Sequence, residues 1–412
     1  MGIYRLLAEV FRQLRRLLPR GAVALVFNLA LMVVALAQSP SCHLATLATV
    51  LPIKGQRENL IQRLRRWLAS PHLDWERYYR PLIVQFFAHW RGAEVGLVMD
   101  RTDLNDRVSI LYTGIATQQR VVLLAWDFLD YGSSDAELQI RQLQHIAPLL
   151  PDPQQVRITF FGDAEFRAVE LQQFCRQQGW HWHVGVKSDT LFHQGDEIWR
   201  PLRAIPVLRG ERHYLSGLTL TEQHAFGPVN LIIDWNPNED APRYWALDQV
   251  ADRHAWRRGR KRFWIEPTNR DLKRAGFGLE QSALPDRARL SSLLLAMAVT
   301  LLWMLHLGQW VSASGHRTRL EAATKRDYSL FRLGRDWVRR GLLFGWPIPV
   351  GWTLQAGAPR GPALPGPSHA GRRSRRRARR VVHKHAAPVF AAGAGTPAPA
   401  QPCPAHAAPL RR

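Results

Sequence analysis

The spacing of hydrophobic and polar positions changes near residue 93. Up to residue 90 the pattern reads as helical, with no sustained alternation. In the stretch G-Q-R-E-N-L-I-Q-R-L-R-R-W-L, Arg57, Arg63, Arg65 and Arg66 interleave with Leu60, Ile61, Leu64, Trp67 and Leu68. That spacing predicts a helix with one apolar side and one basic side. The basic side, Arg63 and Arg66 in particular, suits either solvent or a phosphate backbone.

Beyond residue 93 short apolar runs predict strands at 95–100, 108–115, 120–126, 156–162 and 180–187. Helices are predicted at 136–150, stopped by Pro148, Pro151 and Pro153, and at 165–176. Three strands, a helix, a strand, a helix and a strand is the order of a ribonuclease-H-like mixed α/β sheet. Further β-like runs at 211–219, 229–235 and 243–247, separated by Gly and Pro turns, predict a β-rich insertion. The expected organisation is a helical DNA-binding domain at 1–90 and a first part of the core at 91–187. The insertion takes 188–250, and the second part of the core, with its C-terminal helices, takes 251–345. A disordered basic Pro/Ala/Arg tail is expected at 346–412, where the composition cannot bury a core.

Two apolar runs, 21–37 and 290–305, are each shorter than the roughly 20 residues a membrane-spanning helix needs. They are expected to be buried helices, with no membrane partner. The 412-residue chain carries 56 Lys and Arg against 33 Asp and Glu, a formal net charge of +23. Eleven of those cations, with no acid among them, fall in residues 359–412. The rest is still basic, which points to a polyanionic partner. Cys42, Cys175 and Cys403 form no C-x-x-C pair, excluding a disulfide scaffold and a cysteine zinc site. His181 and His183, at strand spacing, lack the further ligands a zinc site requires.

The chemistry rests on acids. Asp100 and Asp163 each follow an apolar run, and adjacent strands lie about 4.8 Å apart. Arg262, Glu266, Arg270 and Lys273 fall at steps of 4, 4 and 3 residues, which places them on one helix face. With Pro267 starting the helix, that face reduces to Glu266, Arg270 and Lys273. Three carboxylates from separate elements suit two Mg²⁺ or Mn²⁺ ions about 3.5–4 Å apart, the arrangement of two-metal phosphoryl transfer. Asp103 and Asp106 compete with Asp100 as the first ligand. Asp234, before N-P-N, reads as a turn acid.

On these residues the chain resembles the DDE transposases of bacterial insertion sequences, of the IS-four type. D-R-T at 100–102 is similar to that family's first acid motif and G-D-A-E-F at 162–166 to its second. Arg262, Glu266 and Lys273 match the spaced R, E and K of its Y-R-E-K signature. The likeness extends over about 25–345. It departs at Gly259, where the signature has tyrosine, and at Asn269, where an aromatic is usual.

The resemblance implies a bacterial cytoplasmic, nucleoid-associated enzyme that binds terminal inverted repeats. It would dimerise on double-stranded DNA and cut and rejoin it with Mg²⁺. Asp100, Asp163 and Glu266 are then the catalytic and metal-binding set. Arg262 and Lys273 become phosphate contacts, joined by Arg270 on its helical position alone, and an insertion tryptophan (Trp199, Trp235 or Trp245) a base-stacking platform. The second reading is a catalytically decayed relative that only binds DNA.

Overall fold

The chain begins with six helices: α1 (Ile3–Leu17), α2 (Val23–Gln38), α3 (Leu44–Val50), α4 (Arg57–Leu68), α5 (Trp75–Tyr78) and α6 (Arg80–Ala88). The computed structural model describes residues 1–354, except 197 and 285, and the backbone of 381–383. Three strands follow the helices: β1 (Glu94–Asp103), β2 (Val108–Thr117) and β3 (Arg120–Asp130). After them come α7 (Ala136–Ile146), β4 (Arg157–Gly162), α8 (Val169–Gln177) and β5 (His181–Val186).

β2 pairs antiparallel with both β1 and β3, while β4 lies parallel to β1 and β5 parallel to β4. The spatial order β3-β2-β1-β4-β5 is that of a ribonuclease-H-like sheet. Its strands are rich in Val, Ile, Leu and Phe because both faces are covered by helices.

β1 does not stop at Asp100 as the apolar run suggests. Its pairs with β4 end at Val98–Phe161, but those with β2 continue through Asp103–Ser109. The polar end of the strand is kept extended by its antiparallel neighbour.

The β-rich insertion comprises β6 (Leu191–His193), β7 (Arg200–Pro201), β8 (Arg212–Leu220), β9 (Phe226–Asp234) and β10 (Arg243–Leu247). It extends the same sheet, since β10 pairs antiparallel with β5 and the order continues β9-β8-β6-β7. Among the described residues four further α-helices follow: α9 (Arg253–Gly259), α10 (Ile265–Lys273), α11 (Arg287–Ala313) and α12 (Leu330–Phe344).

α11 bears out the expected burial of the second apolar run and corrects only its length. It is 27 residues long, enough to cross a membrane by length and composition, yet it is almost wholly buried against α2, α12 and β3. Polar atoms tie the N-terminal helices to the same core. Tyr79 Oη donates to Leu123 O at 2.6 Å, and Arg335 Nη2 donates to Ser39 O at 2.6 Å. One continuous hydrophobic cluster runs from Leu6 to Leu354.

The expectation of disorder from residue 346 does not hold for 346–354. Ile348, Trp352 and Leu354 are buried, and Trp352 Nε1 donates to Val299 O at 3.2 Å. Local composition missed this because the partner surface lies on α11. Within the former tail, β11 (Val381–His383) pairs parallel with β8. The other tail residues from 355 on lie outside the described residues.

Candidate active site

Two strands set the floor of the site. Asp100 lies two residues beyond Val98 and Asp163 two beyond Phe161, and Val98 and Phe161 are partners in the parallel β1–β4 pair. Asp100, on β1, and Asp163, in the turn directly after β4, thus lie equally far beyond the last pair of the two neighbouring strands. The Asp163 turn is itself fixed. Asp163 Oδ1 accepts from Glu165 N at 2.9 Å, and the turn rests on β5 at Gly185, where a Cβ would lie 2.9 Å from Ala164 N. A side chain there would push the turn off the sheet.

The α9–α10 segment forms a wall over this floor. Asp252 caps α9 by accepting from Ala255 N at 2.6 Å. A 3₁₀ turn at Arg260–Trp264 joins α9 to α10, and Pro267 sits in the first turn of α10, where its missing N–H is harmless. The wall is docked by side chains. Thr268 Oγ1 accepts from Val121 N at 2.8 Å, and Asp271 pairs with Arg120 at 2.5 Å, both nearly enclosed.

Arg262 lies before α10, so it is not on that helix's face, but it reaches the acids. Its guanidinium is 3.1 Å from Asp163 Oδ2 and 3.6 Å from Glu266 Oε1. It also acts on Asp100, whose carboxyl is pushed up to about 7, chiefly by burial. Arg262 opposes that rise, and the negative charge of Asp163 adds to it. Asn269 Nδ2 donates to Asp100 Oδ2 at 3.1 Å, and the buried Tyr112 hydroxyl donates to Asn269 Oδ1.

The three predicted acids thus gather around one guanidinium, but not as a closed cage. Among the described residues no three His, Cys, Asp or Glu groups are grouped to hold one ion. Arg262 stands between Asp163 and Glu266, and Glu266 is largely exposed. The rival acids are engaged elsewhere or distant. Asp103 accepts from Ser109 Oγ at 2.6 Å and from Arg101, while Asp106 is exposed in the loop after β1. Asp234 pairs with Arg212 at 2.8 Å and accepts from Trp256 Nε1.

The predicted cations divide. Arg270 is exposed on the wall. Lys273 instead pins α10 to β1, donating to Thr102 Oγ1 at 3.4 Å and to Asp103 O, and pairing with Glu280 at 3.2 Å. Arg63 is tied to Asn28 Oδ1 at 2.7 Å, and Arg66 is exposed on α4.

Trp235 is half-buried, with its indole donating to Glu239 O at 3.0 Å and Arg209 over its ring. Trp245 comes closer to the site, packed between His183 and Phe263 beside Arg262. Trp199 packs edge-on against His193.

Sequence reasoning missed several participants. Glu165 accepts from Arg101 Nε at 3.1 Å and from Ser134 N and Oγ at 2.9 and 2.8 Å, bracing the end of β1 against the Asp163 turn. Tyr112 faces Asp100 in the β1–β2 register, a pairing readable only after the strands are aligned. Asn269 stood out in sequence only as a departure. The departure at 259 has a steric cause: a Cβ on Gly259 would lie 2.4 Å from the His183 ring.

Residues 122–303 match the family model for the transposase DDE domain. Asp163 and Glu266 lie inside that range and Asp100 before it. The match supports a DDE transposase. Among solved structures, the chain is similar to the piggyBac transposase synaptic complex with hairpin DNA. That likeness has 10% identity and a TM-score of 0.45, covering 83% of this chain and 78% of that one. It is also similar to human ENDOV, at 12% identity and a TM-score of 0.22, covering 44% and 84%. Likenesses so distant carry no functional argument. No curated protein matches the sequence.

Proposed function

We propose that the chain is a DNA transposase of the IS-four type, acting on bacterial DNA in the cytoplasm. In this reading it binds terminal inverted repeats as a homodimer and cuts and rejoins DNA by phosphoryl transfer. The observation that carries it is the position of Asp100 and Asp163 each two residues beyond the last pair of the parallel strands β1 and β4, with Glu266 linked to Asp163 through Arg262.

The donor set fits divalent cations. Asp100, Asp163 and Glu266 offer hard oxygen ligands, and a carboxyl raised by burial beside a second carboxylate favours added positive charge. Mg²⁺ or Mn²⁺ held there would stabilise charge on the oxygens of the scissile phosphate. The chain's own residues do the rest. Arg262 keeps Asp163 and Glu266 together, Arg270 presents charge to a phosphate from the wall, and Lys273 fixes the wall to β1. Arg66 on α4 offers a second backbone contact, and Trp235 or Trp245 an aromatic face for a base.

The test is strand cleavage of a duplex carrying the short inverted termini that flank the reading frame, with Mg²⁺ or Mn²⁺. The expected result is cutting by the wild type and a loss of at least about a hundredfold in Asp163→Asn, with gel-shift affinity retained. Cutting unaffected by the substitution, or an equal loss of binding, removes Asp163 from the chemistry. DNA shifted but uncut by the wild type favours the second reading, a decayed relative that only binds.

A further inference from the structure

We infer that Asn269 is a positioning residue for Asp100, held in register by Tyr112, so that the helix carrying Glu266 and the strand carrying Asp100 are locked at one separation. The inference rests on the phosphoryl-transfer reading of these acids.

The donor and acceptor inventory fixes the direction of this chain of contacts. Asn269 turns its Nδ2–H₂ toward Asp100 Oδ2 at 3.1 Å, the orientation an ionised Asp100, which only accepts, requires. The amide oxygen then faces Tyr112, whose hydroxyl donates to it. Tyr112 is fully buried and stands directly across from Asp100 in the β1–β2 register. All three groups therefore come from different elements: β1, β2 and α10.

The amide cannot drift, because anchors flank it on the same helix. Thr268 accepts from Val121 N, and Asp271 pairs with Arg120. Glu266 lies one turn before Asn269. A shift of α10 along the sheet would break the Asn269–Asp100 bond and move Glu266 by the same amount. The contact thus couples the one exposed acid of the site to the most enclosed one. Partners that orient a ligating carboxylate in this way commonly contribute about 10–100-fold to cation affinity or activity.

The experiment uses the full chain with Mn²⁺ alone, titrated calorimetrically, followed by kcat and KM for cleavage of the end duplex. Thermal unfolding serves as the check on folding. Asn269→Ala is expected to weaken Mn²⁺ binding about 10–100-fold and to lower kcat with KM for DNA unchanged. Asn269→Gln, which keeps the amide, is expected to recover part of the loss. Tyr112→Phe, which keeps the ring packed, is expected to move both readouts in the same direction by less.

Mn²⁺ affinity and kcat within twofold of wild type in Asn269→Ala overturn the inference, provided Asp163→Asn does weaken Mn²⁺ binding. If Asn269→Ala is unfolded, unchanged readouts in Tyr112→Phe overturn it instead. If neither Asp163→Asn nor Asn269→Ala affects Mn²⁺ binding, the cation reading of the site has failed and takes the inference with it.

Discussion

The floor and the wall of the candidate site are built by different means. Asp100 and Asp163 are placed by backbone: two parallel strands in register, with the turn after β4 seated on Gly185. Arg262, Glu266 and Arg270 are placed by side chains, since α10 is docked through Thr268, the Asp271–Arg120 pair and Lys273. A ladder of backbone hydrogen bonds tolerates single substitutions; a short helix seated by two apolar side chains, Ile265 and Leu272, and a few polar ties depends on each of those side chains. The contrast predicts that the site is lost from the wall first.

The largest expected effect lies at the seam of the two. His183 on β5 is fully enclosed beneath Gly259 of the wall, and burial, with Arg258 adding to it, lowers its imidazole from 6.5 to about 3. The unfolded chain takes up that proton near pH 6.5. Stability from this group is therefore complete above pH 6.5 and is lost as the pH falls toward 3. The loss amounts to about 5 kcal/mol over the whole window, of which about 3 kcal/mol falls between pH 6.5 and 4. Urea midpoints of wild type and His183→Leu between pH 7 and 4 measure it, and parallel curves would remove His183 as the cause.

Next comes Arg120→Met, which leaves Asp271 enclosed without its partner. Burial already raises the Asp271 carboxyl despite Arg120. A cost of about 3 kcal/mol in chemical unfolding is expected, with cleavage falling more than DNA binding. A neutral result would mean that the wall does not depend on this tie.

Gly259→Ala should cost about 2 kcal/mol by driving a methyl into the His183 ring. Combining it with His183→Ala should relieve most of that, a coupling that a double-mutant cycle reads directly. The smallest effect is expected for Lys273→Ala: weaker end-DNA binding, with the log–log salt slope reduced by about 1 if its ammonium meets a phosphate. An unchanged slope would leave Lys273 as a pin between α10 and β1.

The same contrast explains what was legible in the sequence. The five strands around the acids announced themselves by runs of Val, Ile, Leu and Phe, and Asp100 and Asp163 by following such runs. Glu266 and its basic neighbours were legible through spacing and family resemblance. The extra length of β1 was not, because residues 101–103 are polar and stay extended only through β2. The continuation of the insertion into the same sheet depended on β10 meeting β5, which no local pattern encodes. Asn269, Tyr112 and Glu165 were invisible as site residues for the same reason. Each acquires its role from a partner on another element, and Gly259 looked like a loss until His183 was seen in its place.

α11 has a consequence for how the protein is made. Its apolar flanks meet α2 and β3, both synthesised well before it. While the ribosome is still short of residue 313, those surfaces have nothing to cover them. The nascent chain must be shielded until its last third emerges, and a prematurely ended translation product is a sticky fragment rather than a smaller working protein.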